Sequence, residues 1–135
     1  IYASQSFLKM KSKQIDINDS NSIAKLVVKS MLDKKATDIK IIYVEKLTTL
    51  TDIFIVCTSD SDPQSKGITN HIKDNLSDYG IKPIHIEGFQ FLKWVLMDYI
   101  NVTINIFNKE YREFYNVERL WADAKIETVK ESIQK

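Results

Sequence analysis

Apolar residues at Ile23, Leu26, Val27 and Met31, with Ser30 as the small member, fall at i, i+3, i+4, i+8 and i+7 and predict one face of an amphipathic helix. A polar stretch over residues 16–21 precedes it, with Ser20 or Asn21 as the expected cap. Two runs rich in isoleucine and valine follow, 39–44 and 52–58. They alternate so little that strands covered on both faces are expected. The second run leads into Asp60, Ser61, Asp62 and Pro63, an acidic approach to a proline that opens a helix. Its apolar face is Ile68, Ile72, Leu76 and Tyr79, and Gly80 stands where a left-handed cap belongs. A strand, helix, strand order implies a sheet that is at least partly parallel.

Residues 82–87 alternate, with Ile84 and Ile86 on one side and His85 and Glu87 on the other, wet side. The runs 94–99 and 102–107 are separated only by Ile100 and Asn101, which predicts a tight hairpin. In that register Tyr99 pairs with Val102 and Asp98 with Thr103. One face then carries Val95, Met97, Tyr99, Val102, Ile104 and Ile106, a core set; the other carries Trp94, Leu96, Asp98, Thr103, Asn105 and Phe107. This second face mixes apolar anchors with polar groups, as binding surfaces do. A lone strand tryptophan is ordinarily a core residue. Here Asp98 shares its parity, and an unpaired buried carboxylate is costly, so an interface is the better reading.

Beyond Asn108, a plausible cap, a helix is expected to place Tyr111, Phe114 and Tyr115 inward and Glu110, Arg112, Glu113 and Glu118 outward. Leu120 and Trp121 are expected to close the core. The chain divides into an extension (1–20), a folded domain (21–124) and a polar, helix-prone tail (125–135).

With 44% hydrophobic residues among 135, one core is expected, and 19 basic against 18 acidic side chains give no one-signed field to draw in nucleic acid or a membrane. Partners must therefore be read by a local patch. Cys57 has no second cysteine to pair with, and two histidines do not complete a zinc cage, so neither a disulfide nor a metal centre is expected. Cys57 reads as a buried, inert thiol, and His71 and His85 lack the partners that catalysis needs. No apolar run approaches the roughly 20 residues of a membrane span. The first residues, IYASQSFLKMKSK, lack acids, as a remnant of a targeting peptide would, though they also lack arginine. Lys9, Lys11 and Lys13 read as a solvated tail with, at most, a minor contact to RNA.

The segment from Glu87 to Trp121, EGFQFLKWVLMDYINVTINIFNKEYREFYNVERLW, resembles the ribosomal silencing factor family, also called Iojap-like. That family shows Glu-Gly, then Trp-Val-Leu-x-Asp-Tyr, then Glu-x-Arg-x-Phe-Tyr and Glu-x-Leu-Trp in this order. DKKATDIKIIYV and LTDIFIVCTSDS upstream resemble its Lys-Lys-Ala-x-Asp-Ile and Thr-Asp-x-Phe-x-Ile segments, so the likeness covers roughly residues 22 to 124. It implies an α/β domain with a mixed five-stranded sheet, nucleotidyltransferase-like in fold. It further implies a non-enzymatic role: docking on the fourteenth protein of the large ribosomal subunit, which sterically blocks joining of the small one and serves subunit assembly as well. No cofactor is implied, a homodimer of the free chain is compatible with it, and the compartment is bacterial cytoplasm or an organelle matrix. Carried over by position, the partner-binding residues are Trp94, Leu96, Asp98 and Tyr99 with Glu110, Arg112, Tyr115 and Glu118, and Asn105 stands where the family usually has a histidine. Ser59 and Ile100 stand where it usually has a glycine or similar residue. The alternative is a small metal-dependent nucleotide enzyme using Asp52, Asp60 and Asp62. The proline-started helix explains two of those aspartates as capping groups, and fold likeness alone does not carry function.

Overall fold

The computed structural model describes residues 19–130. Lys9, Lys11 and Lys13 lie outside them. Helix α1 (Ser20–Asp33) buries Ile23, Val27, Ser30 and Met31, as its periodicity requires. Its cap is Asp19, one residue before the expected pair: the carboxylate accepts from the Asn21 amide at 3.1 Å and from the Ser22 hydroxyl at 2.9 Å. Ser20 instead donates to Asp52 at 2.8 Å, tying the start of the helix to the sheet.

Strands β1 (Thr37–Tyr43) and β2 (Ile53–Ser59) pair antiparallel. Helix α2 (Asp62–Ser77) is capped by Ser61, whose hydroxyl accepts from the Gln64 amide at 3.1 Å, with Pro63 in its first turn. Gly80 is left-handed, φ +77°. The short β3 (His85–Glu87) leads to the hairpin of β4 (Trp94–Asp98) and β5 (Val102–Asn108), then to two short helices, α3 (Lys109–Tyr115) and α4 (Val117–Leu120), and to β6 (Lys125–Thr128).

The sheet order is β3-β4-β5-β2-β1-β6, six strands rather than the five expected. The sixth comes from the segment read as a helix-prone tail: Lys125–Thr128 is extended and pairs antiparallel with β1. Four residues with no apolar stripe gain more from the open edge of β1 than from a solvated helix turn. Every pairing is antiparallel except β2 with β5, so the sheet is partly parallel as expected, although β3, the strand that follows α2, lies at the edge and not beside β2. The hairpin register is as read, with Asp98 opposite Thr103 and Trp94 opposite Phe107.

Parity divides the sheet. One face, with Ile39, Ile55, Met97, Ile104 and Ile106, packs under α1 and α2 to form the main core. The other carries a smaller cluster of Ile42, Val44, Val56, Phe107 and Val117, partly covered by α3 and α4. The helices therefore cover one face fully and leave the second open over β3, β4 and half of β5. No helix among the described residues is long and apolar enough to cross a membrane.

Candidate functional site

The open face is built on β4. Trp94, Leu96 and Asp98 point to it and are half-buried, whereas Val95, Met97 and Tyr99 point into the main core. Trp94 stacks on Phe107 with ring centroids 4.8 Å apart and meets Tyr115 at 4.9 Å. Its indole N–H donates to the Asn105 side-chain oxygen at 2.9 Å. Asn105 is fully buried, and its amide nitrogen finds no partner among the described residues. Asn105 therefore fixes the tryptophan from below and does not itself reach the surface, which corrects its place among the contact residues.

Helix α3 departs from expectation at its aromatic residues and at Arg112, while Glu110 and Glu113 are exposed as expected. Tyr111, Phe114 and Tyr115 face outward, Phe114 being 80% exposed, while Arg112 is buried at 6%. The reason is the set of acceptors beneath it. The guanidinium donates to the Asp38 carbonyl and the Thr58 hydroxyl, both at 2.8 Å, and to the Glu118 carboxylate at 3.0 Å, with the Asp38 carboxylate at 3.4 Å. A buried arginine with its donors used is stable where an unpaired one is not. Partial burial works against the charge on Glu118, but the bonds and charge of Arg112, helped by Lys40 at 3.8 Å, outweigh it and hold this carboxyl below its ordinary range. Arg112 and Glu118 thus pair with each other inside the fold.

The outward rings form a continuous aromatic ridge. Phe114 meets Tyr115 edge-on at 5.0 Å, Tyr111 meets it at 5.6 Å, and Tyr115 rests on Trp94. Leu120, expected to close the core, is 74% exposed beyond it. Trp121 is half-buried against Phe54, 6.0 Å between rings. Next to the ridge lies a concavity of about 340 Å³, floored by Phe54, Leu96 and Trp121 and edged by Leu50, His85, Glu87 and Asp98. His85 sits 2.9 Å from the Glu87 carboxylate and 3.8 Å from that of Asp98. Asp98 also accepts the Ile100 amide at 2.8 Å across the turn.

Of the residues singled out from sequence, the structure brings Trp94, Leu96, Asp98 and Tyr115 together on one surface, with Glu110 exposed in the first turn of α3. Tyr99 is on the opposite face, 6% exposed; burial pushes its hydroxyl up to about 12, and the hydroxyl has no partner among the described residues. Phe114, Leu120, Phe54 and Leu50 belong to the surface and were missed. The signal for Phe114 was present in the aromatic spacing but was assigned to the wrong side.

The other candidates separate. Asp52 is hydrogen-bonded to Ser20 at one end of β2, and Asp62 pairs with Lys93 at 3.4 Å beyond the other end. The seven-residue strand between them sets the carboxylates roughly 20 Å apart, too far to share two metal ions. Among the described residues no three His, Cys, Asp or Glu side chains are grouped to hold a metal. Cys57 is fully buried, and burial pushes its thiol up to about 12 despite the nearby Arg112 charge, which leaves little thiolate. His71 pairs with Asp33 at 3.0 Å, joining α2 to the end of α1.

A family profile described as ribosomal silencing factor during starvation matches residues 17–135. The chain belongs to the ribosomal silencing factor family. A Bacillus subtilis relative named ribosomal silencing factor RsfS is 37% identical over 106 residues, covering 78% of this chain and 90% of the relative. The Arabidopsis thaliana protein named Iojap, chloroplastic, is 31% identical over 119 residues, 87% of this chain and 49% of that one. The crystal structure of a Chromobacterium violaceum protein superposes with a TM-score of 0.75 at 32% identity, covering 77% of this chain and 87% of the other. Relatives thus occur in bacteria and under a chloroplast name, and the mixed α/β fold of this chain is shared with the Chromobacterium violaceum protein.

Proposed function

We propose that this silencing factor binds the large ribosomal subunit through the open sheet face, docks on its fourteenth protein, and blocks joining of the small subunit by occupying space. It acts without chemistry of its own, in the bacterial cytoplasm or an organelle matrix, wherever its ribosomes are. The observation that carries the reading is the exposed aromatic ridge, Trp94–Tyr115–Phe114, beside an apolar concavity. Rings left in water on a small domain gain by burial under a partner, and a central aromatic anchor typically contributes about 2 kcal/mol or more to binding. The carboxylates of Glu87, Asp98 and Glu110 around the ridge suit a partner surface that is apolar at its centre and basic at its edge.

The test is gradient sedimentation with separated ribosomal subunits, wild type beside Phe114→Ala and Trp94→Ala. Phe114 makes its ring contact with Tyr115 alone among the described residues, so its removal reports docking with little change in folding. Wild type is expected to travel with the large subunit and to reduce the yield of joined ribosomes, with both effects weakened at least tenfold in either variant. Wild type that stays at the top of the gradient with subunits from its own source refutes the reading. Unchanged docking by both folded variants refutes the choice of face.

A further inference from the structure

The opposite edge of the sheet carries a second surface. Strand β6 pairs with β1 on one side only and, among the described residues, has no neighbour on the other; all four of its residues are exposed. Open edge strands are usually blunted or covered because their free amides and carbonyls accept another strand. Alongside β6 runs a groove of about 530 Å³. Its floor is apolar, formed by Val28 and Leu32 of α1, Ile41 of β1 and Val129. Its rim is basic: Lys25 and Lys29 stand on the same flank of α1, at the i, i+3, i+4, i+7 spacing with Val28 and Leu32, and Lys130 stands across from them. One acid, Glu127, also lines the groove, its carboxylate accepting the Tyr43 hydroxyl at 2.8 Å, and Asp33 lies 3.6 Å from Lys29, which leaves three lysines against one carboxylate in the lining.

We propose that this edge is a second docking site, which takes as a seventh strand an extended protein segment whose α1-facing positions, every second residue, carry an apolar residue flanked by acidic ones. Strand addition supplies the main-chain bonds. Every second side chain of the added strand faces α1, where a central valine- or isoleucine-sized group meets Val28 and Leu32 and carboxylates two residues to either side of it meet Lys25, Lys29 and Lys130. A basic segment is disfavoured by the same rim. The β6 edge and the Trp94 face lie at opposite ends of the strand order, so both are occupied at once without competition. The silencing factor can then hold a second protein while its ridge is covered.

The experiment measures fluorescence anisotropy of the full chain with two labelled synthetic peptides, an acidic one in which every second residue runs glutamate, valine, glutamate with threonine between, and a basic one with lysine in place of each glutamate. The acidic peptide is expected to bind one to one, at least tenfold tighter than the basic one, and to lose at least tenfold against the double variant Lys25→Glu, Lys29→Glu. Both lysines are exposed, so thermal unfolding of the variant should match wild type. An acidic peptide N-methylated on alternate amides should also lose at least tenfold. The proposal is overturned by no binding at millimolar peptide, by equal binding of both peptides, or by indifference to the charge reversal or the N-methyl groups. It is equally overturned if sedimentation shows a dimer that the charge reversal dissociates, which makes a second copy the occupant. Binding that appears only after residues 131–135 are removed makes the chain's own end the occupant and overturns it as well.

Discussion

Replacing Arg112 by alanine separates a folding role from a docking role. The guanidinium touches three elements: the start of β1 through Asp38, the end of β2 through Thr58, and α4 through Glu118. Bonds to a charged group contribute roughly 1.5–3 kcal/mol each but are not additive when they share one donor. Truncation leaves the Thr58 hydroxyl buried without its donor and Glu118 without its main cation. Breaking a fully buried pair costs about 3–5 kcal/mol. Here the Glu118 side chain is 22% exposed and keeps Lys40, so water and the lysine recover part of the loss, and a cost of about 2–4 kcal/mol is expected. Urea unfolding followed by tryptophan fluorescence reads it as a lowered midpoint with an unchanged slope. Arg112→Lys, a point charge that cannot span the three acceptors, should fall between. A loss below about 1 kcal/mol in the alanine variant, or full stability with lost docking, would show that the arginine serves the partner and that the burial argument is wrong.

Four further outcomes follow from the same geometry. Tyr99→Phe removes a hydroxyl that has no partner where it is buried, so stability should be unchanged or raised by up to about 1 kcal/mol, with docking intact; lost docking in a stable variant refutes the core assignment. Ile100 turns the hairpin at φ +72°, a region costly for a β-branched residue, so Ile100→Gly should raise the melting temperature, by roughly 1 kcal/mol of stability. Gly88, at φ +81°, has its missing Cβ directed into the Trp94 carbonyl, so Gly88→Ala should destabilise by about 2 kcal/mol or more and disturb the start of β4; a neutral result by calorimetry counts against the close approach. Because Glu118 is held below its ordinary range, its contribution is fully present above the unfolded value of about 4.3 and is lost as pH falls through the folded one; the stability gap between wild type and Glu118→Gln should therefore begin to close as pH falls past about 4.3 and go on closing below it.

The strands and the hairpin were legible because their signal is local. A period of two across residues 94–107 and a two-residue connection fix which side chains share a face, and every core residue named from that pattern is buried. The same holds for α1 and α2, whose apolar stripes face the sheet. The failures share a cause in long-range pairing. Nothing near Arg112 announces that Asp38 and Thr58, separated from it by 74 and 54 positions, will offer it acceptors, so the rule that aromatic residues go inside and arginine outside gave those residues of α3 the wrong sides. Likewise β6 has no strand signal of its own: Ile126 is its single apolar residue, and it becomes a strand because β1 presents an edge. Trp94 and Tyr115 of the exposed ridge are among the partner-binding positions carried over from the family, whereas Tyr111 and Phe114 are not, since their rings stand where a free monomer gains nothing from them.

Parity also explains why the strand motif mixes two roles. In the run from Trp94 to Tyr99 the even positions, Trp94, Leu96 and Asp98, line the open face, while Val95, Met97 and Tyr99 fill the core under α1 and α2. The C-terminal motif divides in the same way: Arg112 and Glu118 close on each other beneath the surface, and their pairing turns Tyr115 outward onto Trp94 and Phe114 outward onto Tyr115. Resemblance to a family motif therefore marks positions without assigning their work: of those carried over here, Tyr99, Asn105, Arg112 and Glu118 turn into the fold, while Trp94, Leu96, Asp98, Glu110 and Tyr115 lie on the open surface. The consequence is experimental. Substitutions at 96, 98 and 114 should change docking at nearly constant stability, whereas those at 95, 97 and 112 should change stability first and docking only as far as the fold is lost. A docking defect in a fully stable Met97 variant, or a large folding defect in a Phe114 variant, would show that the sheet does not separate the two functions by face.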